Sequence, residues 1–187
     1  MSTTTLAGRR FAREPVAAPE FKAAVGRFAS GVTVVAVSRD GTTTAKTVSA
    51  FSSLSLDPPL IGVAIGEATP LASLLRGGGG FGVSVLAEDQ ADVSDWFARP
   101  PHRRAGAAPA GLVPAHRPDA PVLDRCLSWL SCRVVDVVDA GDHVVAVGEA
   151  QAVRVAAGVP LLHHAGRYGA LASEPHARPD LQERPTP

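Results

Sequence analysis

Two long β-rich segments, residues 127–138 and 144–155, constrain the fold of this chain more than any other feature. Both are dominated by Val and other residues that favour strands. Only Asp139-Ala140-Gly141-Asp142 separates them, and this is a sequence typical of a tight turn. The sequence therefore predicts a long β-hairpin.

Shorter segments bounded by Pro and Gly predict the other elements. Further strands are expected at 32–37, 42–50, 60–65, 81–86 and 160–164, and helices at 20–29, 70–76 and 88–98, with Thr69 as the cap of the second helix. Residues 99–120 show no period and predict a surface loop. Many short strands without a regular βαβ alternation favour a closed or nearly closed antiparallel barrel over a doubly wound sheet.

Length and charge predict a single domain with no net charge. The 187 residues suffice for one domain, which we expect at 19–172 between flexible segments 1–18 and 173–187. Lys plus Arg equals Asp plus Glu at 18 each, which predicts no nucleic-acid partner and no anionic membrane surface. The polar N-terminus predicts neither a signal peptide nor a membrane span, so we expect a cytoplasmic protein. Cys126 and Cys132 are expected to be reduced.

A hydroxyl-rich run at 47–59 is the first candidate for a ligand site. Side chains of a strand alternate between faces, so one face is predicted to enter the core (Val48, Ala50, Leu54, Leu56) and the other to be polar (Thr47, Ser49, Ser53, Ser55). Phe51 and Ser52 interrupt the alternation and predict a bulge. Uncharged donors and acceptors suit a flat heteroaromatic ligand. A half-exposed strand with solvated hydroxyls is an equally good interpretation of this run alone.

The tripeptide Gly141-Asp142-His143 is the second candidate, because it delivers a His from a tight turn to the start of a strand. Asp142 is placed to cap the turn or to orient the imidazole. A neutral imidazole there can hydrogen-bond a cofactor ring, and an imidazolium can offset negative charge on a reduced ring. The alternative is an ordinary Asp-capped turn with a surface His.

Five ordered motifs resemble those of the flavin reductase-like family, the small reductase components of two-component flavin monooxygenases. They are residues 21–35, the run 47–60, the strand 81–86, Gly141-Asp142-His143 and Gly166-Arg167-Tyr168. The resemblance extends from about residue 21 to 171. It implies a mainly β, antiparallel split barrel with a few short helices, and a homodimer. It also implies a reductase that transfers hydride from NADH or NADPH to FMN or FAD, the reduced flavin then diffusing to a partner monooxygenase.

The resemblance further implies which residues form the site. His143 is expected to tune and position the cofactors, and the expected cofactor-binding residues are Lys46, Thr47, Val48, Ser49, Ala50, Ser53, Ser55, Thr69, Ser84, Asp142, His143 and Tyr168. The segment expected to hold the flavin phosphate, 66–70, offers Thr69 but also Glu67, which would repel a phosphate. The backbone N–H groups of the helix N-terminus at Thr69 are one expected anion site, and Lys46 or Arg76 is the expected source of positive charge. No metal is expected. The alternative function is a flavin-binding split barrel that acts as an oxygenase, an oxidase or a flavin carrier without reductase turnover.

Overall fold

The computed structural model describes residues 16–171. Over this range the helices are α1 (Ala18–Val25), α2 (Pro70–Arg76) and α3 (Ala91–Ala98), with a 3-10 turn at Pro101–Arg103. The strands are β1 (Ser30–Gly31), β2 (Thr33–Arg39), β3 (Thr42–Val48), β4 (Phe51–Leu56), β5 (Pro59–Gly66), β6 (Gly80–Val85), β7 (Leu112–Val113), β8 (Val122–Leu123), β9 (Ser128–Ala140), β10 (His143–Val155), β11 (Leu162–His164) and β12 (Arg167–Gly169). The predicted end segments, 1–18 and 173–187, lie outside the described residues except for 16–18.

The main sheet has seven antiparallel strands in the order β3-β2-β6-β9-β10-β5-β4. Its two outer strands, β3 and β4, follow each other in the chain and are separated only by Ser49 and Ala50. Because three Cα steps span at most about 11 Å, the two outer strands must lie close together and the sheet curls into a barrel. The barrel closes at Ser49–Ala50, where the Ala64 amide donates to the Ala50 carbonyl over 3.0 Å. The predicted mainly β, antiparallel barrel is confirmed.

The predicted long hairpin is also confirmed. β9 and β10 pair from Ala140 opposite His143 to Ser128 opposite Val155. Gly141 has a φ of 73° in the connecting turn, a conformation that costs glycine little. This hairpin forms the centre of the sheet, because β6 and β5 extend it on either side.

Both faces of strand β2 are buried, one in a cluster with α2 and the other in a cluster with α3. Its β-branched run is buried on both faces, with Val35 and Val37 in the cluster that includes α2 and Val34 and Ala36 in the cluster that includes α3. The first cluster fills the barrel with fully buried Phe81 at its centre. A side chain at Gly148 would come within 2.3 Å of the Phe81 ring, so glycine makes room for it.

The single strand predicted for the run 47–59 is wrong, because the chain passes from one sheet edge to the other at Ser49–Ala50. Val48 is buried as expected, but Ala50 is exposed, and Leu54 and Leu56 are 53% and 90% exposed. β4 pairs with β5 instead of continuing β3 along β2. The predicted bulge lies slightly further on, at the register shift between Ser53 and Ser55.

Other elements differ from expectation at their ends. Helix α1 ends at Val25 and buries none of its own residues among those described. The predicted loop 99–120 includes strand β7 and the fully buried Ala120. A second C-terminal strand, β12, pairs with β11 and was not predicted. No helix within residues 16–171 is long and apolar enough to cross a membrane.

Candidate functional site

The closure of the barrel at Ser49–Ala50 borders a cleft of about 820 Å³. One wall is the outer face of β4, β5 and β10, and it carries Ser52, Gly62, Ala64 and Val145. The opposite wall is formed by α1, the residues that follow it and the C-terminal hairpin β11-β12. The wall beside Ser49 carries no charged side chain. Its small members, Ala50, Gly62 and Ala64, let a flat ligand approach the backbone closely, beside the larger Phe51 and Leu54.

The sheet register places His143 at the end of this wall. Val145 lies opposite Ala64, and His143 lies opposite Gly66, two residue pairs further along. Side chains two apart on a strand share a face, so His143 and Val145 point to the same side, about 7 Å apart along β10. His143 therefore stands beyond the edge of the cleft that Val145 lines, and it is not itself among the lining residues.

Asp142 orients the His143 ring. The His143 Nδ1 lies 2.7 Å from the Asp142 Oδ1, and the His143 side chain is 48% exposed. The hydrogen bond from His143 lowers the pKa of Asp142, which keeps this carboxylate ionised as an acceptor. With Nδ1–H donated to Asp142, the Nε2 atom is the nitrogen available to a ligand.

A second cavity, of about 370 Å³, lies on the other side of the same chain segment. Lys46 lines it together with Thr69 at the start of α2 and the loop that carries Arg99 and Arg104. No carboxylate is among the described residues that line it, so its electrostatic potential favours an anion. Residues 46–50 thus connect a cationic cavity to the cleft wall that carries no charged side chain.

The polar groups of the second cavity differ in whether they already form hydrogen bonds within the protein. Thr69 caps α2, accepting from the Ala72 amide over 3.3 Å and donating to the Gly66 carbonyl over 2.8 Å. Arg104 donates to the carbonyls of Ala45 (3.1 Å) and Phe97 (3.3 Å), and burial lowers its pKa. Arg104 therefore fastens the loop to β3. Within residues 16–171 no hydrogen bond or ion pair holds the Lys46 ammonium, which leaves it for a ligand.

Arg76, the other predicted source of charge, is paired elsewhere. It bonds to Asp139 and lies 3.2 Å from Glu67, and the hydrogen bond to Asp139 raises its pKa. Arg76 is shared between Asp139 and Glu67, so one positive charge meets two negative ones and Glu67 is neutralised only in part. Of the two expected cations, Lys46 is the one placed to bind a phosphate.

Several predicted site residues lie outside both cavities. Ser84 is fully buried, and its hydroxyl accepts from the Leu123 amide over 2.9 Å. Val48 points into the barrel core, and the Thr47 hydroxyl donates to the Ser94 carbonyl over 2.6 Å. Ser53 and Ser55 line neither cavity, because the strand break and the bulge turn their neighbours Ser52 and Leu54 to the cleft instead. Asp142 contacts His143 and reaches the site only through it.

Tyr168 is anchored away from the cleft. Its hydroxyl donates to the Asp95 Oδ1 over 2.9 Å and is therefore the acceptor for the Ser94 hydroxyl at 2.8 Å. Burial raises the pKa of Tyr168, which keeps it protonated as a donor. The tyrosine thus fastens the C-terminal hairpin to α3.

Sequence reasoning missed other residues of the cleft, namely Ser52, Gly62, Ala64, Val145 and His163. A signal for two of the small positions, Gly62 and Ala64, was present in the alternation Gly62-Val63-Ala64-Ile65-Gly66, which puts large side chains on one face of β5 and small ones on the other. The contribution of His163 depends on the pairing of β11 with β1 and leaves no local signal.

Comparisons with known proteins agree with this geometry. The model of the flavin reductase like domain matches residues 25–172. The chain is 35% identical over 156 residues to the reductase component of a 4-nitrophenol 4-monooxygenase/4-nitrocatechol 2-monooxygenase from Rhodococcus opacus, covering 83% of this chain and 82% of that protein. It is 36% identical over 151 residues to an NADH-dependent flavin reductase from a Rhodococcus species, covering 79% and 83%.

A solved structure matches as well. The NADH:FAD oxidoreductase of Streptomyces globisporus, in complex with NAD and FAD fragments, superposes with a TM-score of 0.77 at 26% identity. The match covers 83% of this chain and 93% of that one. The family predicted from the five motifs is therefore confirmed, and this chain belongs to the flavin reductase like family.

Proposed function

We propose that this protein is an NAD(P)H-dependent flavin reductase that binds FMN or FAD along residues 46–50. The observation that carries the proposal is the arrangement of two sites on one peptide: a cleft wall without charged side chains beside Ser49 and Ala50, and a cationic cavity beside Lys46. A flavin nucleotide has the same two parts, a flat uncharged ring and a phosphate. Relatives named as flavin reductases support the assignment.

The ring is placed against the wall that carries Ser49, Ala50, Gly62 and Ala64. The Ser49 hydroxyl and backbone groups of the segment offer donors and acceptors to its polar edge. When bound, flavin and nicotinamide supply the hydride chemistry between themselves. The protein is left to stack the two rings and to complement charge. His143, oriented by Asp142, offers Nε2 on the same face of β10 as Val145, beyond the edge of this wall.

The phosphate is placed in the second cavity. Lys46 contributes the ammonium that the segment 66–70 lacks, and Thr69 and the loop carrying Arg99 complete the surroundings. Arg104 adds positive potential although its donors are bonded to carbonyls. A charge-assisted hydrogen bond of this kind contributes about 1.5–3 kcal/mol to binding.

Reduced flavin made here is consumed by a second protein. The relative from Rhodococcus opacus is named as the reductase component of a monooxygenase, and we assign the same kind of partner to this chain.

The protein is proposed to be a homodimer, because apolar side chains surround the cleft without cover. Phe21 and Phe28, in and just after α1, are 59% and 80% exposed among the described residues, and Leu54 and Leu56 are exposed on β4 beside them. An amphipathic helix that buries none of its own residues is expected to pack on another surface. A second copy of the chain, seated on α1 and β4, provides that surface.

Replacing Phe28 with Asp is expected to convert the dimer to a monomer. Burying a carboxylate in an apolar interface costs several kcal/mol, and a fully buried Phe contributes about 1.5–3 kcal/mol. Sedimentation equilibrium of the wild type and the variant measures the change. Val113→Asp, on exposed β7 away from α1, is the matched control. A wild-type monomer, or a dimeric Phe28→Asp variant, contradicts the proposed interface.

Replacing Ser49 with Val is expected to weaken FMN binding about fivefold with little loss of stability, because the change removes a ligand hydrogen bond and no core contact. Quenching of flavin fluorescence gives the dissociation constant, and thermal unfolding gives the stability. Ser53→Val is the matched control, since Ser53 is exposed and lines neither cavity. Equal dissociation constants for the Ser49 variant and the wild type contradict the ring placement.

The activity itself is tested by anaerobic mixing of the purified protein with NADH or NADPH and free FMN or FAD. Bleaching of the long-wavelength flavin band is expected to be much faster than in the enzyme-free control. No acceleration with any of the four pairs contradicts the proposed function. Yellow colour that stays with the protein on gel filtration in that case identifies a flavin-binding protein without reductase turnover.

A further inference from the structure

The wall of the cleft formed by α1 and the C-terminal hairpin carries a histidine, His163, which does not line the second cavity beside Lys46. Among the described residues that line the cleft, Lys22 and His163 bear the titratable side chains. His163 is half-buried on β11, with its backbone paired to Ser30 on one side and to Tyr168 on the other. It therefore lies on a short three-stranded sheet, not on a loop tip.

The His163 ring is held in place by Tyr168. The two ring centroids are 6.0 Å apart with an interplanar angle of 63°, an edge-to-face contact. The Tyr168 hydroxyl is in turn fixed to α3 by its bonds to Ser94 and Asp95. The Ser94 carbonyl accepts from the Thr47 hydroxyl on β3. A continuous chain of contacts thus connects His163 to the strand that leads into Ser49.

The two walls of the cleft impose an order on the two rings. A flavin ring lying on the Ser49–Ala50 wall turns one face to the protein and leaves the other face toward α1 and the C-terminal hairpin. Hydride transfer requires the nicotinamide to stack on the free face. The nicotinamide is then the ring next to the wall that carries His163 and Gly166.

We propose that His163 is a binding residue for the nicotinamide end of NADH or NADPH, and that Tyr168 is the positioning residue that fixes its ring. This inference rests on the proposed flavin reductase activity. The imidazole offers one hydrogen bond to the carboxamide or the adjoining ribose from the side opposite the flavin. His163 affects binding of the reductant and not binding of the flavin, because the nicotinamide lies between His163 and the flavin ring. The flavin is held by other groups, Ser49 and Lys46.

Replacing His163 with Ala is expected to raise the KM for NADH about five- to tenfold, because one hydrogen bond to the ligand is lost. The FMN dissociation constant is expected to stay within about twofold of the wild-type value. His163→Gln keeps a donor and is expected to restore most of the wild-type KM. Tyr168→Phe is expected to raise the KM for NADH about threefold by freeing the ring. His164→Ala is the matched control, since His164 is exposed on the opposite face of the same strand and does not line the cleft.

The outcomes separate this inference from the proposed function. Wild-type protein that reduces no flavin overturns both. Wild-type turnover together with a KM for NADH that is the same in His163→Ala, His163→Gln and His164→Ala overturns the role of His163 alone. A loss of FMN affinity as large as the rise in KM also overturns it, because it places His163 beside the flavin. If His163→Ala does not fold, the KM for NADH of the other two variants is the test. The KM of His163→Gln is expected near the wild-type value and that of Tyr168→Phe about threefold above it.

Discussion

Replacing His143 with Ala is expected to slow flavin reduction about 100-fold at saturating NADH, the effect of removing one hydrogen-bonding group placed where charge develops. Flavin binding is expected to weaken much less, because His143 stands beyond the edge of the cleft and the ring is held at Ser49 and Ala50. Anaerobic stopped-flow absorbance measures the reduction step, and fluorescence quenching measures binding.

Two further variants sharpen this test. Asp142→Asn keeps the turn but alters the hydrogen bond that orients the ring, so its expected loss of rate is smaller than that of the His143 variant. His116→Ala is the control, because His116 is exposed in the loop 99–120 and lines neither cavity. Turnover of His143→Ala equal to that of the wild type refutes the role given to this imidazole.

Replacing Lys46 with Ala is expected to weaken FMN binding about 30-fold, because an ammonium–phosphate hydrogen bond contributes about 2 kcal/mol. Riboflavin has the same ring but no phosphate, so its dissociation constant is expected to stay unchanged. The difference between the two ligands isolates the phosphate contact from any disturbance of the ring. Titration of both ligands against both proteins by fluorescence quenching gives the four constants.

The control for Lys46 is Arg103→Ala. Arg103 belongs to the loop beside the second cavity but is exposed and absent from its lining, so this variant removes the same charge without the contact. FMN binding by the control is expected to fall only slightly, through long-range electrostatics that salt screens. An equal loss of riboflavin and FMN affinity in Lys46→Ala contradicts the phosphate assignment.

Local chemistry made part of the fold predictable. The central hairpin follows from two β-rich runs and the turn Gly141-Asp142, and helix α2 from Thr69 and Pro70. The turn after β2 was also predictable, since Asp40 and Gly41 both adopt positive φ, as expected of an Asp-Gly turn.

The barrel closure was not predictable from the same kind of signal. No Gly or Pro stands between Val48 and Phe51, so nothing in the local sequence marks where one strand stops pairing with β2 and the next starts pairing with β5. The choice is made by distant strands that the sequence alone does not place. Ser53 and Ser55 were consequently assigned to the polar face of a strand that does not continue.

Ser84 was misplaced for a related reason. The segment that follows the loop 99–120 lies so close to β6 that a side chain on Gly82 would come within 2.0 Å of the Pro121 carbonyl. This contact buries Ser84 and brings the Leu123 amide to its hydroxyl, 39 residues away in sequence. His163 likewise reaches the cleft only through the pairing of β11 with β1.

A crystal structure of the protein with FMN tests the central claim most directly. We expect the isoalloxazine ring against Ser49 and Ala50, with the phosphate at hydrogen-bond distance, about 2.7–2.9 Å, from the Lys46 Nζ. The imidazole of His143 is expected at the open end of the same ring. An FMN whose ring lies away from residues 49–50, or whose phosphate lies outside the cavity lined by Lys46, contradicts the account.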